Sequence, residues 1–481
     1  MDFNLVVIGS GLSSLSFIDS YLEKKAKIDV ISPDLNKIAS KEFIQNSHLY
    51  IDKNLPPQMK YNLGKIKNYF FFNKFIVEKN TNVMGSLEFG GLSNYWGLQI
   101  DKSILGDFNC LSKKNNKKLQ NCFFETVNKL NLLGSFNISK KSYSNDFKVD
   151  TSFDGLIKKE KIGQFKITKP ILAISHKKLK KKKNSLNSNK INLNKIKENV
   201  NKINAKNYYK RFLKKKNIRF HNYYVKKIYL EKNKVKLICS NKNHEKIFYA
   251  KKVVFGCGTL VTTKLIMDSL KIKKEVKVKE HPRMLSLFFS KYNIENYMEF
   301  MPSQMQIRND QLGRSFLADF RPGNKFIIDA ALKIYKFLFP FKFLLYFLKN
   351  YMIFSNILLD SRYSNVFMKL GKNSKTYIYS KNKKTTSILN SVHKKILKLL
   401  KNENLILPLY KNFFSGHGSA YHYFGTIPIA AKKQKLAVND FCQLKNFKNV
   451  YIIDGSVFDF KINKYPLGAI MANARRIAKE I

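Results

Sequence analysis

Asn4-Leu5-Val6-Val7-Ile8-Gly9-Ser10-Gly11-Leu12-Ser13-Ser14-Leu15 is the stretch that decides the fold of this chain. An apolar run leads into three small residues. A helical pattern follows, with Leu12, Leu15, Ile18 and Leu22 at spacings of three and four. Ala26 to Ile31 then has the character of a second short buried strand. The order is strand, glycine turn, helix, strand: one βαβ unit. The turn has the spacing G-x-G-x-x-S, with Ser14 where a third glycine is usual. Gly9 suits the sharp turn out of the strand, Gly11 lets backbone approach a pyrophosphate, and Ser14 is small enough for close packing of helix on strand. The free N–H groups of the helix start would face the phosphates. A dinucleotide site is the functional reading; a bland buried βαβ unit is the alternative. The acid expected on the ribose is absent at Ser32, which leaves Asp34 or Ser32 for that contact.

A chain of 481 residues can bury a large core in two or three domains, and its 44% hydrophobic content fits a globular protein. The net charge of +56 would ordinarily point to nucleic acid or an anionic membrane. Here lysine is spread along the whole length together with asparagine, which reads as a compositional bias and not as a patch. No specific nucleic-acid partner is expected. The five cysteines, Cys110, Cys122, Cys239, Cys257 and Cys442, are odd in number and lack C-x-x-C spacing. That argues against a disulfide framework or zinc site and for a reducing compartment. The expected location is cytoplasmic, with peripheral contact at the inner membrane face as a further expectation. The first strand starts so early that a signal peptide has no room. No apolar run is long enough for a spanning helix.

Further along, Gly90-Gly91-Leu92-Ser93-Asn94-Tyr95-Trp96-Gly97 puts the only tryptophan behind a glycine pair. Lys177 to Lys183 is almost all lysine and reads as a solvated segment; Tyr208, Tyr209 and Arg211 beside it are the residues that could touch nucleic acid. Val225 to Leu230, Lys234 to Ser240 and Glu245 to Ala250 read as a meander. Lys252 to Phe255 reads as another buried strand, closed by Gly256-Cys257-Gly258-Thr259 and a helix from Thr262 to Leu270. Phe326 to Leu359 reads as a core helix pair broken at Pro340, or else as a cationic aromatic surface lying on a membrane. Ser387 to Leu400 is an amphipathic helix on which His393 reads as a surface residue. The Gly-, His- and Tyr-rich run Gly416 to Pro428 holds His417 and His422. A buried strand, Asn449 to Ile453, ends in Asp454-Gly455-Ser456, and Pro466 opens the last helix.

Five motifs thus stand in one order: Gly9-Ser10-Gly11; Gly90 to Gly97; Gly256-Cys257-Gly258-Thr259 with Thr262; His422-Tyr423-Phe424-Gly425-Thr426; and Asp454-Gly455-Ser456 followed by Tyr465-Pro466. The ordered set resembles the glucose–methanol–choline (GMC) family of FAD-dependent oxidoreductases, and especially its pyranose oxidase and sugar dehydrogenase branch. The resemblance covers about half the chain. It implies that Gly9, Gly11 and Ser14 hold the FAD pyrophosphate and that Gly91, Ser93, Asn94 and Trp96 run along the flavin. Val225 and Gly258 would lie on the adenosine side. Asp454 with Gly455 would bind the ribityl chain or pyrophosphate, and Pro466 with Leu467 would lie at the pyrimidine edge. His422 matches the family's catalytic base, with His417 as runner-up; His281 reads as structural. Tyr95 stands where pyranose oxidase-like members carry a flavin-linked histidine, so FAD is expected to bind non-covalently. Tyr465 stands where the family has His or Asn, with Asn463 two residues earlier; one of these two would orient the substrate hydroxyl.

The fold class expected is α/β (α+β overall): a Rossmann-like FAD domain assembled from 1–105, 218–280 and 406–481, a variable insert at 106–217, and a substrate domain with antiparallel sheet and helices at 281–405. The activity implied is oxidation of a CH–OH group of a sugar, polyol or glycan precursor, the acceptor that reoxidises the flavin being left open. Two other readings stand beside it. One is a basic, non-catalytic nucleic-acid or glycan binder with a vestigial flavin fold. The other is a flavin isomerase or quinone-linked dehydrogenase.

Overall fold

The computed structural model describes residues 2–33, 69, 73–78, 81–94, 96–101, 110–130, 135–137, 142–144, 148–150, 153–175, 190–192, 201–203, 205–209, 212, 215–231, 233–241, 244–294, 303–310, 315–323, 325, 328–329, 332, 336–381, 385–414, 416–429, 435–445, 447–460 and 465–481. Asp34, Tyr95, Arg211, Asn463 and the Lys177–Lys183 block lie outside the described residues.

The βαβ unit forms as its sequence requires. Asp2–Ile8 is the first strand, Leu12–Tyr21 the helix and Ile28–Ile31 the second strand. Val6, Val7, Val30 and Leu15 are wholly buried, and β-branched residues fill both strands, as suits strands covered on both faces. The two strands pair in parallel, Val6 opposite Asp29 and Ile8 opposite Ile31. Ile218–His221 extends the sheet beside the second strand, also in parallel.

On the other side, Asp2–Ile8 pairs in parallel with Glu245–Phe255. That element joins two stretches read separately from the sequence. The 245–250 and 252–255 runs are one continuous strand, and its two halves do different work. The first half closes the antiparallel meander with Val235–Ser240 and Tyr224–Leu230; the second half pairs in parallel with Val450–Ile452. Three parallel strands therefore end in step at Ile8, Phe255 and Ile452. Ligands in such sheets lie outside the carboxyl ends of the strands.

A second sheet runs in the order Ile406–Phe414, Arg283–Ser290, Met352–Leu359, Phe316–Pro322, Met305–Asn309, Phe165–Thr168, Lys161–Ile162. All its pairings are antiparallel. The helix Thr385–Asn402 packs on it through Leu389, Ile396 and Leu400. A smaller sheet joins Val276–Val278, Val366–Leu370, Thr376–Ser380 and Phe75–Val77. The 106–217 stretch is shared between the layers. Its helix Lys113–Leu130 joins the core of the first sheet through Leu119, Phe123 and Val127, while its strands 161–168 extend the second sheet.

Three expectations are corrected by packing. Phe326–Leu359 is not a core helix pair: Met352–Leu359 is a central strand, and the short helix Lys342–Leu348 before it lies on the surface. His393 is buried, not a surface residue, because its ring stacks on Phe288 and its Nδ1 pairs with the Ser286 hydroxyl at 3.0 Å. Tyr208 and Tyr209 are also buried, in the core of the first sheet, with the Tyr208 hydroxyl on Asp19. They form no nucleic-acid surface. The five cysteines are free thiols, as their spacing implied. Among the described residues, no helix is long and apolar enough to cross a membrane and no group of side chains could hold a metal ion.

Candidate active site

The ends of the three parallel strands become three turns. Gly9-Ser10-Gly11 follows the first, Gly256-Cys257-Gly258 the second and Asp454-Gly455 the third. They meet edge to edge. Gly9 takes φ +105°, and a Cβ there would stand 2.6 Å from the Gly256 carbonyl oxygen. A Cβ on Gly256 would stand 2.2 Å from the Ser14 hydroxyl, which donates to the Gly256 carbonyl at 3.1 Å. Gly9 is thus required by its positive φ and close backbone approach, and Gly256 by the Ser14 side chain packed against it.

Asp454 locks two of these turns together. One of its oxygens accepts from the Gly258 N–H at 3.0 Å and from the Thr262 hydroxyl; the other accepts from the Ser456 N–H at 3.0 Å and from the Ser456 hydroxyl. Burial raises its carboxyl pKa, against these four donors. Its acceptor capacity is largely spent inside the protein.

In front of the turns lies a cavity of about 1110 Å³ including its mouth. Gly11, Leu12, Ser13, Gly91, Ser93, Trp96, Gly258, Asp454, Gly455, Pro466 and Leu467 line it together with Gln99, Tyr421, His422 and Tyr465. The structure therefore brings together most of the residues singled out in the sequence, from segments hundreds of residues apart. It leaves some out. Gly9 and Ser14 sit behind the cavity wall as the packing residues just described. Asn94 holds its own turn, donating to the Phe89 carbonyl at 2.8 Å. Val225 lies at the irregular start of the meander, and His417 is not part of the lining. Ser32 is not open to a ribose: its hydroxyl donates to Ser10 at 2.7 Å, and Ser10 in turn accepts from the Gly90 N–H at 2.9 Å.

The cavity suits a dinucleotide in two respects. The helix Leu12–Tyr21 has no side-chain cap at its start and no acid in its first turn, and Leu12 and Ser13 face the cavity. Its N–H groups and dipole are therefore available to an anion. A Cβ on Gly11 or on Gly91 would find no atom nearer than 3.8 Å, and one on Gly258 none within 4 Å. At these three glycines the open room lies on the ligand side, in contrast to Gly9 and Gly256.

The second sheet stands behind Gln99 and Tyr465 of this lining. Asp319, in the strand Phe316–Pro322, is fully buried and collects donors from Tyr465 (its hydroxyl), Gln99 at 2.9 Å, Arg321 at 3.0 Å and Asn356 at 3.2 Å. These charge-assisted bonds outweigh burial and hold its carboxyl below the usual range. The Tyr465 hydroxyl is itself pushed well above its ordinary pKa by burial and by the Asp319 charge. Its proton is committed to Asp319, so Tyr465 is no base, and Gln99 and Arg321 also reach its oxygen. The His422 ring lies 5.7 Å from the Tyr465 ring and 6.1 Å from that of His281, centre to centre. Burial, with His281 and Arg283 nearby, pushes the His422 imidazole down to about 3. His422 is thus neutral, and its Nδ1 has no hydrogen-bond partner. Arg283 is buried beside it, its guanidinium 5.3 Å from the centre of the Tyr421 ring.

Sequence reading missed Asp319, Arg321, Gln99, Arg283 and Glu280. One signal was there: Asp319 and Arg321 are charges two apart in an otherwise apolar strand, hence on one face of it. Glu280 carries a consequence that can be measured. Its carboxyl is wholly buried and accepts the Gly418 N–H at 2.8 Å, holding the loop that leads to His422. Burial lifts it to about 7, against the pull of the Gly418 and Ala420 N–H groups and of Arg283. Between the ordinary value of 4.5 and about 7, the folded state keeps a proton that the unfolded chain has lost. Stability therefore falls as pH rises through that window, by roughly 3 kcal/mol at most. Glu280→Gln, which keeps the acceptor oxygen, is expected to flatten this slope in urea midpoints measured across the window. An unchanged slope would show that Glu280 is already ionised in the native state.

The comparisons bear on this arrangement. Residues 394–474 match the family model described as GMC oxidoreductase. Among solved structures, pyridoxine 4-oxidase from Mesorbium loti is similar over 99% of both chains, with a TM-score of 0.55 at 12% sequence identity. That likeness is one of fold. No curated protein matches this sequence. The matched C-terminal region contributes His422, the Asp454 turn and Tyr465 to the cavity, and the fold likeness extends across the whole chain. The C-terminal region of the chain is thus similar to the GMC oxidoreductases, and the fold of the whole chain is similar to that of pyridoxine 4-oxidase.

Proposed function

We propose that the chain is an FAD-dependent oxidoreductase that oxidises a CH–OH group of a small alcohol, a sugar or polyol being the expected class, with FAD held non-covalently. The observation that carries this reading is one cavity lined both by the open glycine turns with the uncapped helix start and by a neutral, buried histidine. Gly11, Gly91 and Gly258 would hold the cofactor's backbone-facing parts, with Trp96, Pro466 and Leu467 around its ring system. FAD supplies the hydride-accepting ring when bound. His422 takes the substrate hydroxyl proton onto its imidazole, whose neutral, proton-accepting form is the one present above a pH of about 3. The negative charge of Asp319 favours the imidazolium that results. Tyr465 presents its oxygen to a neighbouring hydroxyl and so orients the substrate. Aromatic walls at Trp96, Tyr421 and Tyr465, with Gln99 between, suit a compact ring bearing several hydroxyls. The fold relative is, by its name, also an oxidase.

The test is the visible spectrum of the purified protein before and after acid precipitation, followed by anaerobic addition of sugars and polyols. Flavin released into the supernatant and bleached by a substrate supports the reading. A protein that takes up no FAD would overturn it. Tyr465→Phe separates orientation from base chemistry. Asp319 keeps Arg321, Gln99 and Asn356, so the expected loss is about tenfold in kcat/KM, mostly in KM. A loss as large as that of a His422 variant would mean that Tyr465 is the base after all.

A further inference from the structure

The second sheet carries a surface that the reaction does not use. The connection from Gly323 to Tyr351 leaves the strand Phe316–Pro322 and returns as Met352–Leu359. Its two ends are tied at the base, where the Gly323 N–H donates to the Met352 carbonyl at 2.7 Å. One side of the connection is packed: Leu338, Leu345 and Leu348 lie against Ile328, Leu332 and Met352. The opposite side is just as apolar and faces out. Phe339 is 63% exposed, Phe341 56%, Phe343 85%, Leu344 53% and Phe347 64%. A helix that is apolar all round belongs in a core or in lipid, yet Lys342–Leu348 stands at the surface. Its outward side chains expose roughly 600 Å² of apolar area, at the top of what soluble monomers show.

The surface continues across the sheet edge. The loop after Arg283–Ser290 touches this connection, Ile294 N–H donating to the Asn350 carbonyl at 2.6 Å, and touches the edge strand through Lys291 N–H to the Leu405 carbonyl at 3.0 Å. Tyr292 in that loop, and Leu407 and Leu409 on the edge strand, are exposed as well. The charge of this stretch complements an anionic surface. Residues 324–351 carry five lysines against one aspartate, and that aspartate, Asp329, is engaged by the Tyr346 hydroxyl. Lys342 leans over the rings of Phe339 and Tyr346, at 5.7 and 5.9 Å, with its ammonium at the rim of the aromatic face. Protruding phenylalanines rimmed by lysine match a bilayer with acidic headgroups: rings enter the acyl boundary and ammonium groups meet phosphates.

We infer that Phe339, Phe341, Phe343, Leu344 and Phe347 form a docking face for an acidic phospholipid bilayer. The strand that leads into this connection holds Asp319 four residues before Gly323, roughly 13 Å along the strand from the base of the connection. Binding is independent of the flavin assignment, so the two readings fail separately.

The experiment is co-sedimentation of the full chain with vesicles of phosphatidylcholine alone and of phosphatidylcholine mixed with phosphatidylglycerol, at physiological salt. The expected result is binding to the mixed vesicles that Phe343→Ser/Phe347→Ser weakens by about tenfold or more, with an unchanged melting temperature. In addition, Phe343→Trp is expected to be quenched by lipids brominated on the acyl chain. No binding to the mixed vesicles would overturn the inference. So would equal binding by the double serine variant, which keeps every lysine, since the basic charge alone would then be responsible. A stable dimer of the wild-type chain that the serine variant dissolves would also overturn it, by giving this face to a second copy.

Discussion

Replacing His422 by alanine is expected to lower kcat by about a thousandfold while leaving flavin uptake intact. The magnitude is that of removing a general base from a closed site. The retention follows from position, because none of the glycine turns depends on His422. Asparagine, which cannot take the proton, is expected to do no better. The pH dependence makes the prediction sharper. Burial, helped by His281 and Arg283, holds the imidazole down at about 3. Its depressed value keeps the basic form populated at every pH above that figure. The pH profile of kcat/KM is therefore expected to show no acid limb near the ordinary histidine value of about 6.5. A limb there that vanishes in the alanine variant would mean that the site is wetter than its geometry shows. Turnover of His422→Ala within a few fold of wild type would remove the histidine from the chemistry.

Two glycines of one turn are expected to fail in opposite ways. Gly11 has ordinary φ and ψ of −66° and 171°, and a Cβ there meets nothing closer than 3.8 Å. Gly11→Val should fold with a near-native melting temperature and be colourless, losing about a hundredfold or more in FAD affinity as the branched side chain fills the space meant for the pyrophosphate. Gly9 has φ +105° and faces the backbone of Gly256 and Cys257 at 2.6 to 2.8 Å. Gly9→Ala therefore strains the backbone and pushes two strands apart; insoluble or unfolded protein is the expected outcome. Circular dichroism and FAD titration of the two variants separate a ligand-facing glycine from a packing one. If Gly11→Val binds FAD as wild type does, the cofactor does not lie against this turn.

Much of the site was legible because its chemistry depends on local pattern. The strand-turn-helix at Ile8 to Leu15 and the glycine pairs at 90–91 and 256–258 announce themselves within a few residues. So does the histidine-rich run before Thr426. What pattern misassigned was direction. Gly9, Gly11 and Ser14 share one motif, yet only Gly11 opens on the cavity, since the other two are consumed by contact with Gly256. Asp454 reads as a cofactor ligand and does line the cavity, but only the fold shows that it also clamps two turns through four internal donors. His393 looked like a surface residue on an amphipathic helix and lies under the second sheet. Each of these outcomes depends on a partner hundreds of residues away or on another element.

By itself, then, the sequence determined the βαβ start, the order of the glycine-rich turns and the resemblance to an oxidoreductase family, and it singled out His422 as the candidate to take a proton. These rest on short-range rules: periodicity, small residues at turns, and the intrinsic pKa of a side-chain type. Tertiary structure alone decided that 245–255 is one strand shared by a meander and a parallel sheet. It alone placed Asp319 to collect Tyr465, Gln99, Arg321 and Asn356, and put Glu280 out of reach of water. It also decided which face of the Phe-rich connection is covered. The physical reason is common to all of these: burial and ion pairing are set by what folds against a residue, and local sequence does not contain the neighbour.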